Sequence, residues 1–311
     1  MNAVEVPPAL AASLEENVGP GGLAWARALP TLARESMERW ELRPDGPPAH
    51  GVVALVLPVR RADGSRAALK LQQVDEETRG EPLALHAWGG RGAVRLLDGE
   101  PSTGAMLLER LDASRTLFDL PDVEASLRVI AGLLRELTQR QAPPGVRGLG
   151  LIADGLLRGA PSAAAGLADP AERALAADCA AALAQVRAEP GDRLLHWDLH
   201  HGNVLAPLPD GDRRAPWLAI DPKPLAGHPG FELLPALRDR WDDLRATGDA
   251  PRALRRRFDL LTGELALDRA QAAAWTLARV LQNAVWSVAE GGAHALDPRE
   301  RAVAEVLRAL A

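Results

Sequence analysis

The sequence predicts an α+β chain in two lobes: a small strand-rich lobe over residues 1–110 and a larger, mainly helical lobe over 111–311 with one embedded β-hairpin. Three observations predict it. Two apolar runs, 51–59 (GVVALVLPV) and 66–71 (RAALKL), flank a turn at Arg61-Ala62-Asp63-Gly64-Ser65 and read as a hairpin. From Pro121 onward Leu, Val, Ala and Trp recur at three- and four-residue spacing, the period of an amphipathic helix. Only residues 193–221 interrupt that helical stretch with an extended pattern.

In chain order, an amphipathic stretch ends near Trp40 and is followed by the first hairpin. A helix is predicted over 75–88, then short apolar runs at 93–97 and 105–109 separated by the turn Gly-Glu-Pro-Ser-Thr-Gly. The larger lobe predicts helices over 122–140, 168–188, 229–246, 251–266, 269–290 and 298–310, with PSAAAGLADP (161–170) as a linker. Within 193–221, Asn203-Val204-Leu205-Ala206 and Trp217-Leu218-Ala219-Ile220 flank the turn Pro209-Asp210-Gly211-Asp212-Arg213 and read as the second hairpin.

A length of 311 residues with 47% hydrophobic and 25% charged residues is enough for one large two-lobed unit or two ordinary domains with real cores. The first twenty residues lack a positive region ahead of an apolar core, and no run reaches the roughly 18 apolar residues of a membrane span. The expectation is a cytoplasmic protein, and the single cysteine, Cys179, excludes an internal disulfide framework or a multi-thiolate zinc site. A net charge of -6 argues against a nucleic-acid partner and is compatible with a cationic small molecule. Of the 36 basic residues only two are lysines, Lys70 and Lys223, so each is a position where arginine has not been used.

The densest chemistry lies in His196-Trp197-Asp198-Leu199-His200-His201-Gly202-Asn203. A carboxylate that can orient a hydroxyl and accept its proton is followed five positions later by a neutral oxygen donor, and a strand begins at once. The hairpin returns the chain so that Asn203 and Asp221, in Ile220-Asp221-Pro222, lie side by side and could share a magnesium ion. Asp and Asn are also ordinary turn and cap residues, and the register with Asp221 is what favours the catalytic reading. Lys70 ends the strand Ala67-Ala68-Leu69-Lys70, and a carboxylate eleven residues on, Glu81, could pair with it. Pro82 disfavours helical backbone at Glu81 and leaves Glu77 as a second candidate partner.

This order of lysine on a strand, glutamate on a helix, Asp…Asn and then Asp follows the protein-kinase-like signature. The chain resembles the aminoglycoside and hydroxyurea resistance kinases, and within them the streptomycin 6-phosphotransferases. The resemblance rests on ALKL (68–71), GRGAVRLL (90–97), LLERL (107–111), HWDLHHGNVL (196–205) and WLAIDPK (217–223). It implies a protein-kinase-like two-lobed fold, ATP with Mg²⁺, and transfer of a phosphoryl group to an aminoglycoside hydroxyl. Residue by residue, it implies Lys70 as the phosphate-binding lysine with Glu81 as partner, Asp198 as the catalytic aspartate, and Asn203 and Asp221 as metal ligands. Glu109 to Leu111 is then the segment whose backbone would bond adenine, although no G-x-G-x-x-G loop accompanies Gly51.

Other residues carry competing expectations. His196 reads as a structural residue holding the loop, because Asp198 already fills the base role. His200 and His201 next to Asp198 raise the alternative of a transition-metal hydrolase, which would leave Lys70 and Asp221 unexplained. Trp286, eleven residues after Trp275 and on the same helical face, could wall a cationic sugar. Asp239, Asp242 and Asp243, with Glu232, could form an acidic surface for amino or guanidino groups. GHPGFEL (227–233) departs from the family by carrying His228 and Glu232 where aspartates are usual. Hydroxyurea, another small alcohol or amine, or nucleotide binding without turnover are the remaining alternatives.

Overall fold

The structure is a computed structural model and describes residues 4–212, 214–289, 291 and 294–311; Arg213 and Glu290, which end a predicted turn and a predicted helix, lie outside the described residues. The chain divides into two compact units, one of residues 1–112 with 207–216 and one of 113–206 with 217–311.

The first unit opens with helices α1 (Pro8–Val18) and α2 (Pro20–Arg39), followed by the strands β1 (Arg43–Pro44), β2 (Ala49–His50), β3 (Ala54–Arg60) and β4 (Arg66–Gln72). Helix α3 (Glu81–Trp88) and strands β5 (Leu96–Glu100) and β6 (Ala105–Glu109) complete it. The sheet order is β1-β3-β4-β6-β5, with β2 also paired to β3. Along β4, alternation sends Ala67, Leu69 and Leu71 to the face covered by Leu10, Leu14, Leu29 and Met37 of the two helices. Lys70 and Gln72 therefore fall on the opposite face, with Lys70 held between Val56 of β3 and Met106 of β6.

Helix α3 starts at Glu81 rather than at residue 75. The Asp75 side chain accepts from the backbone of Glu77 and Thr78, and Thr78 Oγ1 donates to Gln73 O, so local side-chain bonds hold 75–80 as a turn.

Strand β7 (Leu111–Thr116) leads into the second unit. There follow α4 (Val123–Leu137), β8 (Arg147–Gly148), α5 (Leu149–Gly166), α6 (Pro170–Val186), β9 (Arg193–Leu195), β10 (Val204–Pro207), β11 (Leu218–Ala219) and β12 (Leu225–Gly227). Helices α7 (Leu233–Arg238), α8 (Trp241–Ala246), α9 (Ala250–Glu264), α10 (Arg269–Ala289) and α11 (Pro298–Leu307) close the chain. Helix α10 is buried along most of its length and packs on α5 and α6. The expected linker at 161–170 is instead the end of α5, which continues through Pro161 to Gly166. The expected helix over 229–246 is split into a 3₁₀ turn at Pro229–Glu232, then α7 and α8, because Arg240 adopts left-handed backbone (φ 49). No helix among the described residues is long and apolar enough to cross a membrane.

Candidate active site

In the first unit, Lys70 Nζ lies 2.8 Å from both carboxylate oxygens of Glu81, and Gln72 Nε2 donates to Glu81 Oε2 at 2.5 Å. The lysine side chain is 6% exposed and the glutamate 1%, so this is a desolvated pair fixed by a third hydrogen bond. Glu81, not Glu77, is thus the partner: it opens α3 with Pro82 in the next position, which needs no N–H there. Glu109 ends β6, and its carboxylate takes two bonds of 2.7 Å from Arg214 and one of 2.8 Å from Arg95 N. Arg214 also donates to Gly90 O and Ala93 O. The carboxylate is therefore committed, and so is the Glu109 N–H, which donates to Arg95 O at 3.0 Å. No local signal in the sequence points to Arg214, which is 105 residues from its partner.

In the second unit, β10 and β11 pair with Val204 opposite Ala219, and Ile220 N donates to Asn203 O at 2.9 Å. That register brings Asn203 and Asp221 together at one end of the hairpin. The Asn203 amide nitrogen donates to Asp198 O at 3.0 Å, which fixes the amide and leaves its oxygen as the atom that could ligate a metal. Trp197 (φ 67), next to Asp198, and Asp221 (φ 59) both sit in left-handed backbone that non-glycine residues seldom adopt, so strain falls at both segments that carry the candidate carboxylates. Asp198 is 22% exposed, and Lys223 Nζ stands 3.7 Å from its Oδ2.

His196 lies beneath this loop. Its Nδ1 accepts from Asp198 N at 3.4 Å, so the proton is on Nε2, which donates to Ile220 O at 3.0 Å. Burial pushes its pKa down to about 4, against the pull of Asp198 and Asp221, and the ring is a neutral strut between the loop and the hairpin. Trp197 is buried between two guanidinium groups, Arg147 at 4.9 Å and Arg279 at 4.5 Å from its ring centre. Neither arginine stands near Trp197 in sequence, so no local pattern marks them.

The substrate-side candidates separate. Glu232 has no exposed surface, so it cannot belong to an acidic outer face; its Oε1 accepts from His196 N at 2.7 Å. Burial pushes its carboxyl up to about 8, against the backbone N–H groups of His196 and Trp197 and the charge of Arg279. Asp239 is also spent internally: Oδ2 accepts from His201 N (2.9 Å) and His201 Nδ1 (2.7 Å), and Oδ1 from Arg240 N (2.9 Å). Asp243 is 44% exposed and paired with Arg240. Trp286 is 37% exposed and meets the ring of Trp197 edge-on at 5.9 Å, one residue from Asp198.

The histidine cluster does not assemble as metal ligands. Both ring nitrogens of His201 are occupied, by Asp239 and by Ser126 Oγ at 3.0 Å, and the His200 ring accepts from Gly202 N. No group of three or more His, Cys, Asp or Glu side chains suited to a metal occurs among the described residues. Asn203 and Asp221 instead offer one amide and one carboxylate oxygen, a hard donor set that fits Mg²⁺ sharing its shell with phosphates and water.

A model of the aminoglycoside/hydroxyurea antibiotic resistance kinase family matches residues 39–291. The chain is 55% identical over 305 residues to a streptomycin 6-kinase of Streptomyces glaucescens, covering 98% of this chain and 97% of that protein. It is 57% identical over 306 residues to a hydroxyurea phosphotransferase of Kitasatospora aureofaciens, covering 98% and 86%. Among solved structures, a macrolide 2′-phosphotransferase of Brachybacterium faecium superposes with a TM-score of 0.53 at 16% identity, covering 89% and 97% of the two chains. At that identity the likeness bears on the fold, which is the protein-kinase-like one.

Proposed function

Because the chain belongs to the aminoglycoside/hydroxyurea antibiotic resistance kinase family, we propose that it transfers the γ-phosphoryl group of ATP to a hydroxyl of streptomycin in the cytoplasm. The observation that carries the mechanism is the loop in which Asn203 donates to Asp198 O while Ile220 N ties Asn203 beside Asp221.

Asp198, the partly exposed carboxylate of that loop, orients the acceptor hydroxyl and takes its proton as the acceptor oxygen bonds to the γ-phosphorus and the bond from that phosphorus to the β-phosphate oxygen breaks, releasing ADP. Lys223 Nζ, at 3.7 Å, holds the Asp198 carboxylate in one orientation before the acceptor arrives. Asn203 and Asp221 would hold Mg²⁺, which when bound offsets phosphate charge. Lys70 binds the α- and β-phosphates, and the buried Glu81 with Gln72 keeps its ammonium from swinging away. The main chain from Glu109 to Leu111 bonds adenine while Arg214 holds the Glu109 side chain aside. Trp286, half-exposed beside Trp197, walls the acceptor.

Hydroxyurea is the second reading, favoured by the similarity to a hydroxyurea phosphotransferase. Both readings use the same donor half and differ in the acceptor. The test is ADP release by the purified protein with ATP and Mg²⁺, across streptomycin, other aminoglycosides and hydroxyurea, with mass analysis of the acceptor. Streptomycin-stimulated ADP and a phosphorylated antibiotic are expected. Stimulation by hydroxyurea alone would transfer the assignment, and stimulation by none would overturn it.

A further inference from the structure

We infer that His201 and Asp239 form a clamp that positions the Asn203 end of the catalytic loop, and that neither residue touches substrate. A single 3₁₀ turn, His201–Asn203, carries both the clamped histidine and Asn203. Fixing one end of so short a turn fixes the other.

The clamp has an unusual number of attachments. One oxygen of Asp239 accepts both the main-chain and the ring N–H of His201, at 2.9 and 2.7 Å, so the carboxylate defines backbone position and ring orientation together. The other ring nitrogen shares a hydrogen bond of 3.0 Å with Ser126 Oγ on α4. Phe118 meets the ring edge-on at 6.4 Å. The histidine side chain is 3% exposed, which removes it from any role at the reacting atoms.

Asp239 is in turn immobilised. It ends α7, and the buried Arg257 of α9 donates to its carbonyl at 2.6 Å and to Leu237 O at 3.3 Å. Arg240, in left-handed backbone, gives its N–H to Asp239 Oδ1, its Nη1 to Leu120 O at 2.6 Å and its Nε to Asp243 at 2.8 Å. Burial pushes the Asp239 carboxyl up, but the bonds from His201 and Arg240 bring it down to about 2, so it remains an acceptor. The loop is thus held at two points: Glu232 holds His196, and Asp239 holds His201. Asp198 lies between them.

The kinetic arm of the test rests on the phosphotransfer reading; the exchange arm does not. His201→Leu and Asp239→Ala are each expected to lower kcat by about 10- to 100-fold and to raise the half-saturating Mg²⁺ concentration by about tenfold, the usual effect of removing support from a ligand. The acceptor KM should stay within about twofold, because no substrate contact is lost. The double variant should be no slower than the slower single variant, since both break one unit. Asp239→Asn retains an oxygen for both His201 donors and should recover most of the rate. Hydrogen exchange of the 198–204 amides should quicken in His201→Leu while the unfolding midpoint changes little.

Losses that multiply in the double variant, or a kcat and Mg²⁺ requirement equal to wild type, would overturn the clamp. If either variant does not fold, Ser126→Ala decides, since it removes the ring contact, with the hydroxyl's local bond to Val123 O and a long one from Arg240 Nη1, and leaves Asp239 on His201: a roughly threefold lower kcat with a raised Mg²⁺ requirement supports the clamp, and wild-type values overturn it. If the wild-type protein phosphorylates no acceptor, the phosphotransfer reading fails, and the exchange rates alone decide the clamp.

Discussion

Glu232 and His196 meet through one hydrogen bond and respond to pH in opposite directions. Below pH 4.5 Glu232 is protonated in both folded and unfolded chains and costs nothing. As pH rises toward about 8, the unfolded chain releases this proton first, so stability is lost across that window. His196 has the reverse effect: its folded value of about 4 means that stability is lost as pH falls below 6.5. Glu232→Gln keeps the acceptor for His196 N and removes the titration. The variant should gain on the order of 3 kcal/mol over wild type at pH 8 relative to pH 5, read as a difference in unfolding midpoints. Equal pH slopes in the two proteins would show that Glu232 is not held in this way. For Asp198→Ala, kcat should fall about 10²–10⁴-fold while ATP binding by calorimetry stays near wild type. Ordinary turnover in that variant would remove Asp198 from the mechanism. Cys179 shows no such sensitivity in the working range, since burial pushes its thiol up to about 12.

At the scale of elements, the turn at Pro229–Glu232 presses Gly230 against α10. A Cβ there would stand 2.8 Å from Ala272 Cα and 3.2 Å from Ala272 O, main-chain atoms that cannot rotate away. Gly230→Ala should therefore destabilise the protein by about 1–3 kcal/mol in denaturant titration. An unchanged midpoint would mean that α10 shifts freely.

The same packing explains what the sequence discloses and what it conceals. The two hairpins are legible because alternation and turn residues are local signals, and with them came Lys70, Asn203 and Asp221. Helix α5 is concealed: its glycines and Pro161 read as breakers, yet added Cβ atoms at Gly159 and Gly166 would come within 3.0 and 2.8 Å of Val285 and Val288 on α10. The small residues there answer a neighbouring helix, which no window along the chain contains. The roles of Glu232, Asp239 and Arg214 are concealed for the same reason, since their partners lie 36, 38 and 105 residues away.

For the molecule as a whole, the segment 207–216 interrupts the second unit in sequence and packs with the first. Within the first unit Arg95–Asp212, Arg66–Asp210 and Arg214–Glu109 attach it. Only the last pair is largely shielded, at 17% and 14% exposure, so it should dominate. Arg214→Ala should cost about 2 kcal/mol in chemical denaturation, most of it from stranding the Glu109 carboxylate. A loss no larger than that of Arg66→Ala would show that the shielding adds nothing.

The near-absence of lysine has a practical consequence. A reagent that acylates ε-amines finds two targets in 311 residues, Lys70 beside Glu81 and Lys223 beside Asp198. With side chains 6% and 38% exposed, they form a sheltered and an open pair of chemical reporters. Labelling of this chain is therefore almost a readout of the two half-sites proposed above, without introducing a single probe residue.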